Sequence, residues 1–577
     1  RGRLGATFGN AAFLAAYLGM TFFASLAVVN EYRGRWRQVL YTGAVLQLFA
    51  IVVAATRGTL LAMFAVSILT ALYLAWKGEG KVRTYARGSF FAVLILAGIF
   101  FGFREQLAQT PFEPVRRVAS ISLQDVTVSS RLFVWQNVFS EAIKKPLTGY
   151  GAEHIALLFN RIYDPGAIIE EWFDRSHNAY LDYFVQYGIL GMLLYVALIA
   201  VLLRTGFQLW QAGERYGPFI LLLVLVYAVQ NFFVFDTAMT LWFLLVVLSS
   251  ALARLHTQVG ASATTVSSFR FSTSRAIPIA AGVAVLILLY PVALQPLRAN
   301  LALAQGYLYH VFDVERAVGA MERGLSLSTY ADIEYGYQAY SMYTDQQQHM
   351  LKGQERVTAY RYALDVLTKN YERYPYDART ATYLAHVLDS APPEEQVDEE
   401  FLLSVIARAV ELSPKRAQAK YILANISLKK GDKAQGAEQV RYYREGIAIL
   451  EKYATEVTNL AETNYIIANL YLVLREPVLA KKWADEGLAL YKEKGGSGAS
   501  SRAIKYYIAV EDWPNALFFM KGVVDERGNN FEEIYDLAKL YFLNGDREHA
   551  VQLVERLRRE SPGLVETDPE FQKAIGF

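Results

Sequence analysis

The sequence predicts an all-α protein in which a polytopic helical membrane domain is followed by a soluble α-solenoid of helical repeats. Residues 10–255 run from one apolar stretch to the next, whereas residues 298–577 carry most of the charge. Small residues recur along the charged half at the spacing of packed helical hairpins. We therefore divide the chain into a membrane core at 1–255, a cytoplasmic loop with a last transmembrane helix at 256–297, and a repeat domain at 298–577.

The membrane spans follow from length and hydropathy. A bilayer core of about 30 Å needs roughly 20 apolar residues as a helix. The predicted spans are Ala11–Val29, Val39–Ala55, Gly58–Trp76, Gly88–Phe103, Tyr180–Leu203, Pro218–Val234, Ala238–Leu255 and Ala276–Leu294. The segment Phe219–Leu255 can alternatively form one broken unit around Asp236.

Basic loops set the orientation of the spans, because Lys and Arg stay on the cytoplasmic side. The basic residues concentrate in Glu31–Arg37, in Lys77–Arg87, between Arg204 and Arg215, and between Arg254 and Arg275. These loops alternate with the others, so one topology satisfies all four. It places the turn at Arg57, the long loop Arg104–Ser176 and the repeat domain on the outer side.

The outer half is typical of tetratricopeptide-like helical hairpins, which need small residues where paired helices touch. The clearest copy is Phe531–Pro562, with Ala538, Tyr541, Gly545 and Ala550 at the expected offsets. A second copy contains Ala468, Tyr471, Ala480 and Ala484. Each hairpin buries its apolar face only by stacking on its neighbours, so we expect a continuous array.

Composition excludes several classes of function. The net charge is only +2, so nothing indicates nucleic acid as a partner, and the absence of cysteine excludes disulfides, thiolate catalysis and cysteine-ligated metal. No His or carboxylate cluster has metal-ligand spacing, so neither a metal nor a cofactor is predicted. The chain begins at Arg1 without Met and enters a span near Asn10, so we expect further spans upstream.

Two arginines on the predicted outer face are candidates for binding an anion. Arg57 lies between two apolar spans, where an ionised group is costly unless it is paired or snorkels to the interface. Arg131 follows Ser129 and Ser130, either of which can cap a helix, so we expect Arg131 in the first turn. The helix dipole disfavours a cation there unless the site binds an anion. A snorkelling Arg57 and a surface-exposed Arg131 are the alternatives.

His177 is a candidate general base. It lies at the outer mouth of the next span, within Arg175-Ser-His-Asn-Ala-Tyr180. An imidazole can take up a proton near neutral pH, as a general base must. A structural histidine at a helix interface is the alternative.

Four short blocks carry a family resemblance through their order, spacing and shared outer sidedness. They are Arg3–Asn10 leading into Ala15–Tyr17, Thr56–Gly58, Ser130–Trp135 with Pro146–Gly151, and His177–Leu181 running into Gly188–Gly191. Together they resemble the O-antigen ligase and Wzy-polymerase superfamily, which includes bacterial O-oligosaccharyltransferases. The resemblance covers about the first 255 residues, and the repeat domain is an appendage that this family's core does not require.

The resemblance implies a GT-C-like membrane fold and a metal-independent transfer of a glycan from undecaprenyl diphosphate, in the bacterial cytoplasmic (inner) membrane. It implies that Arg57 and Arg131 bind the diphosphate and that His177 deprotonates the acceptor hydroxyl. Further substrate-binding candidates are Arg3, Arg175, Asn178 and Tyr180, and weaker ones are Arg116, Arg117 and Asp236.

Three functions stay open on the sequence. A ligase or protein O-oligosaccharyltransferase passes the glycan to a glycan, lipid or protein acceptor, whereas a polymerase passes it to a second lipid-linked unit. A non-catalytic membrane scaffold would hold partners through its repeats and would survive mutation of both arginines. The outer repeat domain favours a protein acceptor or partner, since solenoids present extended concave surfaces.

Overall fold

A computed structural model describes residues 4–110, 112–120, 126–168, 170–259, 276–344, 351–494, 497–527 and 530–576. Throughout these residues the fold is all-α, as the sequence predicts, and no β-strand occurs in them. The chain divides into two compact units. The first, hereafter the membrane unit, comprises Arg1–Ile162 and Ile168–Ile279, and the second comprises Tyr163–Ala167 and Ala280–Phe577. The candidate Arg3 lies outside the described residues.

The membrane unit is built from long apolar helices joined by shorter ones. Its helices are α1 Ala11–Val28, α2 Arg35–Val53, α3 Arg57–Lys77, α4 Gly80–Gly102, α5 Arg104–Ala108, α6 Glu113–Ala119, α7 Val126–Ala142, α8 Ile155–Ile162, α9 Ala179–Gln211, α10 Gly217–Gln230, α11 Ala238–Val259 and the start of α12, Ala276–Leu289. In the described part of the chain, seven helical segments are long and apolar enough to cross a membrane. The protein is therefore a multi-pass membrane protein.

The helix α10 is shorter than the predicted span Pro218–Val234, because it ends where a polar network begins. The Asn231 amide donates to the Tyr195 hydroxyl at 2.7 Å and to the Asp236 carboxylate at 3.1 Å. The Tyr227 hydroxyl donates to the same carboxylate at 2.7 Å. Buried polar groups that satisfy one another are rigid, so this network fixes the loop 231–237 between α10 and α11.

A kink in α9 explains two of the glycine-containing blocks in the sequence. Gly188 has φ 69° and ψ −170° inside the helix, a conformation that glycine adopts without a Cβ clash. The kink frees backbone groups for the loop Pro146–Gly151: Ile189 N donates to Pro146 O at 2.7 Å, and Gly151 N donates to Gln186 O at 2.9 Å. The two blocks therefore form one backbone-to-backbone joint.

The second unit consists of helices that pack in consecutive pairs. They are the rest of α12, a π-helical turn Tyr290–Leu294, then α13 Gln295–Tyr309, α14 Val314–Leu325, α15 Asp332–Thr344, α16 Gln354–Arg373, α17 Ala378–Asp389, α18 Glu399–Leu412, α19 Ala417–Lys433, α20 Gly436–Glu456, α21 Ala461–Val473, α22 Pro477–Lys494, α23 Ser497–Ala509, α24 Trp513–Arg527, α25 Phe531–Leu543, α26 Arg547–Glu560, α27 Pro562–Glu566 and α28 Pro569–Ile575. We call Gln295–Glu560 the helix-pair region.

Small residues lie at the helix contacts of this region. Ala468, Ala480, Ala538 and Ala550 are all fully buried, as close packing of paired helices requires. The predicted domain boundary at residue 297 lies within α13, which continues from α12 through the π-helical turn. The tetratricopeptide-like classification of the pairs stays a prediction.

Candidate functional site

A cavity of about 180 Å³ in the membrane unit collects three arginines from three helices: Arg57 of α3, Arg117 of α6 and Arg131 of α7. Arg57 donates to the Ser120 hydroxyl at 3.0 Å, and Arg117 forms an ion pair with Glu113 at 3.5 Å. No carboxylate is among the described residues that line this basic cavity. Guanidinium groups bind phosphate and carboxylate oxygens in a bidentate way, so this lining favours an anionic ligand.

The position of Arg131 corrects one prediction. The helix α7 already includes Val126, so Arg131 lies beyond the first turn and neither Ser129 nor Ser130 caps the helix. Ser130 is instead 3% exposed inside the helix. The case for anion binding at Arg131 therefore depends on the neighbouring arginines and not on the helix dipole.

Gln230, the last residue of α10, also lines the basic cavity. It is 1% exposed, and neither Oε1 nor Nε2 of its side chain has a hydrogen-bond partner within the described structure. Buried polar groups are hydrogen bonded in the large majority of cases, so these two atoms can donate to and accept from water or a polar ligand in the cavity. Sequence reasoning missed Gln230 because a single glutamine in an apolar helix matches no motif.

His177 has an unusual backbone conformation beside this site. Its φ of +56° lies in the left-handed region, which costs about 1–3 kcal/mol for a residue with a Cβ. The preceding residue is firmly held: Ser176 N and Oγ both donate to Asp182 Oδ1, at 2.9 and 2.5 Å, and Trp135 Nε1 donates to Ser176 O at 2.8 Å. The conformation is thus imposed by contacts from α7 and α9.

Aromatic rings and one carboxylate fix the His177 imidazole. The Phe173 and Phe235 rings lie against it, with centroid distances of 5.3 and 5.6 Å. Glu170 Oε2 lies 3.7 Å from His177 Nε2. The interaction with His177 lowers the pKa of Glu170 against the opposing effect of burial, and the charge of Arg131 adds to the lowering. Glu170 therefore interacts with two of the three predicted catalytic residues, His177 and Arg131.

Sequence reasoning also missed Glu170. It is one of two adjacent acids in an irregular loop, and helical or strand periodicity gives no register for such a segment. Only the tertiary path of the loop brings this carboxylate to the imidazole.

The remaining predicted site residues make contacts inside the membrane unit. The Arg175 guanidinium donates to Glu153 at 2.6 Å, and this ion pair holds the pKa of Arg175 above its ordinary value although burial lowers it. Asn178 Oδ1 accepts from Leu181 N at 3.2 Å and caps α9. The Tyr180 hydroxyl donates to a backbone carbonyl of α10 at 2.8 Å. Asn178 and Tyr180 thus anchor the helix that follows His177.

A second cavity, of about 170 Å³, has the opposite charge. Arg175 lines it together with the carboxylates of Glu153, Asp182 and Asp236. The loop 231–237 contributes to both cavities, with Phe233 and Val234 in the basic cavity and Phe235 and Asp236 in the acidic one. Because His177 packs on Phe235, the imidazole lies close to the segment that the two cavities share.

Comparison with known proteins agrees with the family resemblance over part of the chain. Residues 42–196 match the sequence profile of the O-antigen ligase family, Wzy_C. This stretch includes Arg57, Arg131 and His177. No curated protein matches the chain significantly. The match supports a membrane glycan ligase or polymerase type of function.

Proposed function

We propose that this chain is a membrane glycosyltransferase that moves a glycan from undecaprenyl diphosphate to an acceptor hydroxyl on the outer face of the bacterial cytoplasmic membrane. The observation that carries the proposal is the basic cavity. Its three guanidinium groups and the unsatisfied Gln230 amide can hold a diphosphate. Negative charge grows on this group as the glycosidic bond breaks, and fixed cations stabilise that charge.

In the proposed step, His177 removes the proton of the acceptor hydroxyl. The acceptor oxygen attacks the anomeric carbon, and the diphosphate leaves with the electrons of the broken bond. Arg57, Arg117 and Arg131 stabilise the leaving group. Glu170 orients the imidazole and stabilises the imidazolium that forms. No metal or cofactor takes part in this proposal.

We place the acceptor beside the acidic cavity. Carboxylates such as Glu153 and Asp182 accept hydrogen bonds from hydroxyl groups, and Arg175 is held between them. Asn178 and Tyr180 act by fixing the start of α9. Arg3 belongs to the proposed substrate-binding set although it lies outside the described residues.

The helix-pair region belongs, in this proposal, to the same outer face, where it holds the acceptor or a protein partner. Single cysteines test the sidedness cleanly, because the chain has none of its own. Cysteines at the exposed positions Ser129 and Ser501 should react with an impermeant reagent in intact cells, and a cysteine at the exposed Thr84 should not. The reverse labelling pattern would invert the topology.

The experiment that tests the function compares Arg131→Lys and Arg131→Ala with the wild type. Lysine keeps the charge but loses the planar fork, so we expect both variants to lose about 100-fold or more of glycan transfer. The control is Arg161→Ala, an exposed arginine at the end of α8. Transfer should continue in EDTA.

Full transfer by Arg131→Ala, or a strict need for a divalent metal, would contradict the proposed roles. The product distinguishes the type of transferase. Addition of the glycan to a second lipid-linked unit would identify a polymerase, and addition to another lipid, glycan or protein would identify a ligase. A scaffold would show no transfer in the wild type.

A further inference from the structure

A cavity of about 550 Å³ lies within the helix-pair region. Most of its lining comes from α17, α19, α21 and α23, which are the first helices of four consecutive pairs. Its size is that of an ordinary ligand pocket. The catalytic proposal makes no use of this cavity.

Four polar side chains line the cavity at one helical register. His386, Asn425, Asn469 and Lys505 are each the ninth residue of their helices, which begin at 378, 417, 461 and 497. Neighbouring packed helices lie about 8–10 Å apart, so four helices give a row of about 25–30 Å. An extended peptide covers that distance with about eight residues.

The two asparagines are oriented as acceptors. Asn425 Nδ2 donates to Asp389 Oδ2 at 2.8 Å. Asn469 Nδ2 donates to the carbonyls of Tyr465 and Arg502, at 2.7 and 3.0 Å. These bonds engage the nitrogen of each carboxamide and leave each Oδ1 to accept from a ligand. Two acceptors one helix pair apart match backbone N–H groups along an extended chain.

The α23 end of the row is positively charged. Arg502 and Lys505 are exposed, line the cavity and form no ion pair with any described residue. Glu462 interacts electrostatically with Arg502 without a hydrogen bond, and burial raises the pKa of this carboxyl while Arg502 lowers it. Asp389 is the one acid among the described residues that line the cavity, and it is already paired with Lys429 at 2.8 Å. The ligand that complements this end carries a carboxylate.

Apolar residues complete the lining, among them Ile422, Leu428, Leu450 and Leu472. A sugar placed there would lose water from its hydroxyl groups without gaining partners, which is unfavourable. An apolar side chain of a peptide gains free energy from the same burial. The lining therefore favours a polypeptide over a glycan.

We propose that this row binds an extended, acidic segment of a partner polypeptide. Carboxylates of the segment pair with Arg502 and Lys505, its backbone N–H groups donate to Asn425 and Asn469, and an apolar side chain fills the cavity. This inference deepens the proposed role of the helix-pair region in holding an acceptor or a protein partner, and its test does not require glycan transfer.

The test measures binding of fluorescein-labelled decapeptides to the full chain in detergent by fluorescence polarisation. One peptide alternates aspartate with leucine, and the other alternates lysine with leucine. We expect the acidic peptide to bind at least about tenfold more tightly than the basic one. The double variant Arg502→Glu with Lys505→Glu should bind the acidic peptide at least about tenfold more weakly than the wild type. Asn469→Leu should weaken binding of the acidic peptide, while the chain should still bind the acidic peptide more tightly than the basic one.

The matched control is Lys452→Glu with Lys492→Glu, which makes the same change of net charge at exposed positions of α20 and α22. This variant should bind the acidic peptide like the wild type. Equal losses in both double variants, equal binding of the two peptides, or no peptide binding would overturn the proposal. Direct binding of labelled polyglucuronate without peptide binding would assign the row to an acidic glycan.

Discussion

The membrane unit and the helix-pair region use polar side chains in different ways. In the helix-pair region, Asp313, Asp377, Asp398 and Asp546 each cap the start of a helix with a side-chain oxygen. In the membrane unit, Asn178 caps α9 in the same way, but other polar groups gather around two cavities and in a buried network at the loop 231–237. Local sequence rules such as helix capping thus describe the helix-pair region well, and the membrane unit departs from them where we propose the catalytic site.

Gly188→Ala should give the largest effect on stability, because a residue with a Cβ cannot readily adopt the backbone conformation of this kink. A Cβ at Gly188 would lie 2.2 Å from the Leu147 carbonyl oxygen, in a backbone with φ +69°. We expect a loss of more than about 4 kcal/mol or no folded protein, measured by thermal unfolding in detergent.

The control for this substitution is Gly43→Ala in α2, where a Cβ would have no neighbour within 4 Å. Alanine favours a helix over glycine, so this variant should be neutral or slightly more stable. Equal behaviour of the two variants would show that the joint between α9 and Pro146–Gly151 is not needed for the fold.

Asp377→Ala should give an intermediate effect and shows what a local rule contributes in the helix-pair region. The Asp377 carboxylate accepts from Thr380 N at 2.9 Å and from the Tyr337 hydroxyl at 2.8 Å. Loss of a cap and of a second hydrogen bond costs about 2 kcal/mol. Glu372→Ala, at an exposed position of the preceding helix, should leave the unfolding temperature unchanged. A loss as large as that of Gly188→Ala would erase the contrast between the regions.

Glu170→Gln should give the smallest effect on stability, and one that depends on pH. The folded-state pKa of Glu170 lies below its ordinary 4.5, so the carboxylate stabilises the fold above that pH and loses this contribution as the pH falls through the lowered value. Because the Glu170 side chain is half exposed, we expect the substitution to lower the free energy of unfolding by less than about 1 kcal/mol at pH 7. Unfolding temperatures of variant and wild type should converge in acid. A difference that grew with acidification would contradict the assigned contact.

Much of this architecture could be predicted from residue patterns. The long apolar segments and the small residues of the hairpins are local signals, and they predict both ends of α1 and α3 and the start of α9 to within one residue, but not the end of α9 at Gln211. The end of α10 could not be predicted, because it depends on hydrogen bonds from Asn231 to two other residues. Tyr195 lies on α9, distant in sequence, and Asp236 lies further along the loop. The predicted start of α7 at Ser129 or Ser130 was wrong, because the sequence does not distinguish a serine inside a helix from a serine that caps one.

The candidate site was predictable in part. Arg57, Arg131 and His177 stand out because charged or titratable residues are rare beside apolar spans. Glu170 and Gln230 have no such contrast with their surroundings, and only the fold brings them to the histidine and to the basic cavity.

The unsatisfied amide of Gln230 has a practical consequence for anyone who purifies this protein. A ligand that binds only the folded chain raises its stability by about 2.7 kcal/mol when present at about 100 times its dissociation constant. A diphosphate compound that satisfies Gln230 would therefore protect the protein during extraction from the membrane. The melting temperature would then rank such compounds before any acceptor is known and without a single turnover.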